Sequence, residues 1–162
     1  GFGPAKQWPP SSFAGLGRLI AERYHKQLVV LCGPAERQQA REIVQLAGHR
    51  HVISLADQSP SLRITKAAVK QADLLVTTDS GPRHFAAAFD VPVVTLFGPT
   101  HIEWSETHYA KARHVQLKVD CGPCQQRTCP LKHHRCMQEL GVDRVFAVVT
   151  KMLEHGPRRA VA

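Results

Sequence analysis

The sequence predicts an α/β fold, a parallel sheet built from βα units with helices on both faces, and two observations carry that prediction. Short apolar runs alternate with amphipathic stretches of helical period along most of the chain, as expected of strands that crossover helices bury on both sides. Three of the apolar runs end in turns that contain glycine, at Gly33-Pro34, Asp79-Ser80-Gly81 and Gly98-Pro99-Thr100. Loops that leave the carboxyl ends of parallel strands are where such sheets bind ligands.

The elements follow in order. Phe13, Leu16, Ile20 and Tyr24 recur at helical spacing behind Ser11-Ser12, whose hydroxyls suit a helix start, so residues 11–25 form a first helix. Residues 28–32 are apolar throughout and stop at Gly33-Pro34, a buried strand in which Cys32 reads as a small core residue. Ile43, Val44 and Ala47 give a helix over 35–47 its apolar face, and 51–55 is a short strand. A helix over 61–71 leads into a strand at 74–78, a helix after Gly81 and a strand at 91–97. Past Thr100 the regularity fades: 114–119 is one more strand, 121–136 an irregular cysteine-rich loop, and 142–153 a closing helix with Val145, Val148, Val149 and Met152 inward.

With 162 residues, 43% of them hydrophobic, the chain can bury a sizeable core, and one domain over residues 1–155 is expected, with 156–162 a disordered tail. No apolar run approaches the roughly 20 residues needed to cross a bilayer. The opening residues lack the layout of a secretory signal, and the start at Gly1 rather than Met suggests a fragment. A formal charge of +8, from 21 Lys and Arg against 13 Asp and Glu, favours anionic partners.

The junction Asp79-Ser80-Gly81-Pro82-Arg83-His84 is the strongest candidate site. A strand ends there in a glycine turn that opens a helix, and the first amides of a helix, unpaired and at the positive end of its dipole, suit a phosphate. Pro82 fits the first turn, where its missing N–H costs nothing. Asp79 would repel a phosphate, so it reads either as an acceptor for sugar hydroxyls or as a brace for the turn and His84. His84 can donate to a phosphate or simply pack. Lys6, in an opening segment of loop chemistry, offers a point charge suited to a pyrophosphate.

The combination of Lys6-Gln7-Trp8-Pro9 ahead of a helix, Asp79-Ser80-Gly81-Pro82-x-His84, Ala86-Ala87-Ala88, Pro92-Val93-Val94-x-Leu96-Phe97-Gly98-Pro99-Thr100 and the terminal cysteine-rich segment resembles the heptosyltransferases, the lipopolysaccharide core enzymes of glycosyltransferase family 9. The resemblance covers nearly the whole chain but only the C-terminal half of such an enzyme. It implies one Rossmann-like half of a GT-B fold, the half that holds a nucleotide sugar, typically ADP-heptose, while the other half supplies the acceptor site and a carboxylate general base.

On that pattern Lys6 and the backbone of Ser80, Gly81 and Pro82 would hold the diphosphate, Asp79 would contact the sugar, and His84, Gly98 and Thr100 would line or buttress the pocket. The implied chemistry is inverting heptosyl transfer without a catalytic metal. The catalytic base is expected outside this chain, so the chain alone should bind donor without transferring it. Gly1 falls where the family has just left a strand, so that strand is expected to be missing. The implied partners are ADP-heptose and a lipopolysaccharide or other glycolipid acceptor, with no nucleic acid, in the cytoplasm at the inner face of the membrane.

Cys121-x2-Cys124-x4-Cys129-x6-Cys136 sets four thiols close together, with His133 and His134 nearby. A structural zinc ion fits the opening CxxC knuckle, although the later spacing is irregular for a zinc ribbon. Reduced or disulfide-paired structural cysteines and an iron–sulfur cluster are the other readings. Two functional alternatives stand beside the resemblance: a different nucleotide-sugar enzyme of the same fold, and a basic cysteine-rich zinc module that binds nucleic acid. Against the second, aromatic residues make up only 6% of the chain and are not interleaved with basic ones.

Overall fold

The computed structural model describes residues 3–155; the expected tail at 156–162 lies outside the described residues. Two compact units emerge, Pro9–Ala68 and a second built from the residues before Pro9 and those from Val69 on.

In the Pro9–Ala68 unit, α1 (Pro10–Tyr24) is followed by β1 (Leu28–Val30), α2 (Arg37–Ala47) and β2 (Val52–Ser54). The two strands pair in parallel with Leu28 opposite Val52 and Val30 opposite Ser54. Ala14 and Ala21 of α1, Ile43 and Ala47 of α2 and Val52 of β2 form the core, with Phe13, Leu28, Val30 and Val44 packed against it. The helices end as their sequences direct: His25 and Gly48 adopt left-handed conformations and return their N–H groups to Ala21 and Val44. Arg18 donates to the carbonyls of Ala47 and Leu46, satisfying the last turn of α2. Cys32 is half-buried rather than a core residue, because β1 stops at Val30 and leaves it in the following loop.

α3 (Leu62–Gln71) leads into β3 (Leu75–Thr78), α4 (Pro82–Ala88), β4 (Val93–Phe97), β5 (Ala112–Gln116), α5 (Arg135–Gln138) and α6 (Val142–His155). β3, β4 and β5 form a parallel sheet with β4 at its centre. All five β4 residues are buried, which is why that segment reads as unbroken apolar sequence apart from Thr95. Val145, Val149 and Met152 bury the inner face of α6. Trp8 is also buried, and its indole donates to the carbonyl of Leu140 at 2.9 Å. This bond fixes the chain just beyond Lys6, which closes a 3₁₀ turn over Pro4–Lys6.

Candidate functional site

The site is assembled where β3 and β4 end. Asp79 follows the last residue of β3, and its N–H bonds the carbonyl of Leu96 on β4. Its carboxylate, 11% exposed, is held from three directions. Lys6 Nζ donates to Oδ2 at 2.5 Å and to the backbone carbonyl at 3.2 Å, Thr100 Oγ1 donates to Oδ2 at 3.1 Å, and Arg83 Nη1 donates to Oδ1 at 2.8 Å. Burial raises the carboxyl's pKa, but the Lys6 hydrogen bond and charge, with the Thr100 and Arg83 bonds, outweigh it and hold Asp79 below its ordinary value.

The site residues named from the sequence separate into those gathered here and those nearby. Lys6 and Thr100 both reach Asp79 directly and share its Oδ2. Ser80 is half-buried and turns its hydroxyl back to Thr77 Oγ1 and the Thr78 carbonyl. Pro82 opens α4, and the N–H groups of Arg83 and His84 close its first turn on the carbonyls of Ser80 and Gly81. The His84 side chain is exposed on α4.

The two glycines differ in kind. Gly81 is exposed with φ −48°, and a Cβ there would meet no atom within 4 Å, so the fold itself does not require glycine at this position. A Cβ on buried Gly98 would sit 2.5 Å from Met137 Sδ, so this glycine serves packing. The Gly98 and Thr100 carbonyls both accept from the Gln116 side chain, which fixes the loop that carries Thr100.

Arg83 is the residue that sequence reasoning missed. It is 4% exposed; Nη1 donates to Asp79 and to Ser105 Oγ, Nη2 donates to the Ser105 carbonyl, and the guanidinium lies over the Phe97 ring at 5.5 Å. Its spacing of four from Asp79 was the available signal. Through Ser105 it reaches the loop between β4 and β5, where Trp104, 74% exposed, stacks on His101. Glu106 of that loop accepts the N–H groups of Thr107 and His108 and pairs with His114 at 2.6 Å.

The four clustered cysteines line one small pocket together with His133, His134, Ala5 and Pro99. All four are free thiols, and Cys121 Sγ lies 3.8 Å from His133 Nε2. Backbone N–H groups, that of His134 foremost, draw the Cys129 thiol below its usual pKa, whereas burial and then the neighbouring thiols push Cys136 up. Among the described residues no three His, Cys, Asp or Glu side chains are gathered to hold a metal ion.

Comparison with known proteins agrees with the sequence resemblance. The description of glycosyltransferase family 9 (heptosyltransferase) matches residues 2–135. Lipooligosaccharide heptosyltransferase 2 of Campylobacter jejuni is 33% identical over 156 residues, covering 95% of this chain and 49% of that protein. Lipopolysaccharide heptosyltransferase 2 of Salmonella typhimurium is 30% identical over 156 residues, covering 94% and 44%. Among solved structures, that of E. coli ADP-heptose LPS heptosyltransferase II superposes with a TM-score of 0.75 at 26% identity, over 94% of this chain and 43% of that one. The chain thus spans about half the length of the curated relatives it matches, and the α/β class with its likeness to part of a heptosyltransferase is borne out.

Proposed function

The chain belongs to glycosyltransferase family 9, and from that premise we propose that it is the donor-binding half of an inverting glycosyltransferase that moves heptose from ADP-heptose to a lipopolysaccharide core acceptor. The relatives are named as lipooligosaccharide and lipopolysaccharide heptosyltransferases, the E. coli structure is that of an ADP-heptose LPS heptosyltransferase, and family membership leaves the nucleic-acid module without support.

The observation that carries the reading is the cluster at Asp79: two cations, Lys6 and Arg83, on one carboxylate, beside an exposed turn whose glycine the fold does not need. The three charges sum to +1. A diphosphate brings enough negative charge to compete for Lys6, while Arg83 and Thr100 keep Asp79 in place. In this reading the backbone N–H groups of Ser80 and Gly81 take the same phosphates, and Oδ1 of Asp79, which accepts from Arg83, takes a sugar hydroxyl as well. Lys6 then stabilises the charge that gathers on the departing diphosphate. His84, exposed on α4, is assigned to the outer side of this site, and Gly98, through its packing, buttresses Thr100.

The general base is assigned to the part of the relatives that this chain does not match, so the chain alone binds donor without turning it over. The four cysteines have a structural part in this reading, with zinc as the occupant suited to them, and none in the transfer. Among the described residues no helix is long and apolar enough to cross a membrane; we place the enzyme in the cytoplasm, at the membrane face where a glycolipid acceptor is presented, with the net charge of +8 favouring that anionic surface.

Calorimetric titration with ADP, UDP and GDP tests the assignment. ADP should bind in preference, and Lys6→Ala should weaken it by roughly tenfold or more, the worth of one charge-assisted phosphate contact. An unchanged ADP affinity in Lys6→Ala, or no preference for ADP, would overturn it.

A further inference from the structure

The stretch between β5 and α5, residues 117–134, contains no helix or strand and not one buried residue. Loops longer than about 12–15 residues without secondary structure are uncommon in compact domains and need fixing points of their own. Ordering such a chain costs on the order of 1 kcal/mol of backbone entropy per residue, and here no buried apolar side chain offsets it. The loop nevertheless docks at defined points. The Gln125 N–H donates to the Pro99 carbonyl at 2.7 Å, and the Arg127 carbonyl accepts the Ala5 N–H at 3.2 Å.

Those two contacts fall next to the groups that hold Asp79. Pro99 precedes Thr100 and Ala5 precedes Lys6, and both Pro99 and Ala5 line the cysteine pocket. Gln125 and Arg127 themselves lie between Cys124 and Cys129. Whatever fixes those two cysteines therefore fixes the span that touches both arms of the Asp79 cluster.

The pocket gathers the means to do so. Cys121, Cys124, Cys129 and Cys136 all face it, all unpaired, the first two in CxxC spacing. As the side chains stand, no three of them converge on one point. Zinc–sulfur bonds of about 2.3 Å need the thiols to swing inward about χ1, toward a space of about 20 Å³ that is large enough for one ion.

We propose that the four cysteines bind one soft divalent ion, Zn2+, and that this ion staples the loop that sets Lys6 and Thr100 against Asp79. Each thiol releases its proton to solvent and the ion takes four sulfur ligands, so the site carries the +2 of the ion and the −4 of the thiolates. The ion is structural, and its link to nucleotide affinity rests on the donor reading above.

The test uses the purified chain, prepared without chelator. Elemental analysis should find one zinc per chain, and replacement by Co2+ should give the intense d–d and sulfur-to-cobalt charge-transfer bands of a tetrahedral thiolate site. Cys124→Ser and Cys136→Ser should each lose that spectrum. Where a variant fails to fold, Co2+ titration of the metal-stripped parent chain gives the same answer. Removal of the ion should weaken ADP binding by about tenfold or more, because it loosens the two arms together.

Folded protein in which the four clustered thiols are all reactive and no cobalt bands appear would overturn the proposal, as would two disulfides within the cluster found by mass. An ion that is bound but whose removal leaves ADP affinity unchanged would overturn the coupling. Metal-loaded chain that binds no ADP at all would instead sink the donor assignment, while the cobalt spectrum still decides the ion.

Discussion

Asp79 is nearly saturated as an acceptor. Oδ2 receives Lys6 and Thr100, Oδ1 receives Arg83, and each carboxylate oxygen can take about two donors. Its main work without ligand is to hold two cations that would otherwise repel each other. Asp79→Asn should therefore destabilise the chain by about 3 kcal/mol at neutral pH, because two nearly buried cations lose their partner. The wild-type carboxyl titrates below its unfolded value, near 3.9. The stability it supplies is therefore present above about pH 4 and is lost as pH falls through the lower folded value. Urea unfolding of both proteins across that range should show the gap closing toward low pH; a gap that stays constant would mean that the charge is not the cause. Gly81 gives the opposite signature. Gly81→Ala should leave stability unchanged or raise it by up to about 1 kcal/mol, since the backbone is helical and the space open, yet weaken ADP binding. Unaltered binding would remove Gly81 from the donor site. The Lys6–Asp79 pair itself could not be read from the sequence, because 73 residues separate the two and nothing local couples them.

At the scale of elements, legibility followed local pattern strength. β4 was readable because its apolar run is broken only by Thr95, β3 because apolar Leu75 and Val76 lead into two β-branched threonines, and α6 because its inward residues keep helical spacing. β5 was expected at 114–119 and lies at Ala112–Gln116, where Arg113 is exposed and Val115 buried. That mixed edge strand offers no apolar run to find. The four-residue α5 is too short to show a period, yet it places Met137 against Gly98. Gly98→Ala should cost about 1–3 kcal/mol by overpacking against Met137. Combining it with Met137→Ala should cost clearly less than the sum of the two single changes, since the shorter side chain vacates the space that the new methyl needs. Additive costs in thermal unfolding would show that this contact does not explain the glycine.

Across the whole molecule, burial differs sharply between the two parallel sheets, and so should resistance to opening. β4 is buried at every position and bonded on both sides, by β3 and by β5. β1 and β2 are three-residue strands with a single partner each, and Val29 and Ile53 are 40% and 38% exposed. Two-stranded sheets are marginal without packing on a face, and here that support comes from the small core beneath α1 and α2. Local openings sample such regions long before the global transition does, so amide exchange should rank the elements by these differences. The β4 amides are expected to be the slowest in the chain, with those of β1 and β2 exchanging faster under identical conditions. Equal protection in the two sheets would mean that both open only with the whole molecule, and that the exposed faces of Val29 and Ile53 carry no cost in cooperativity.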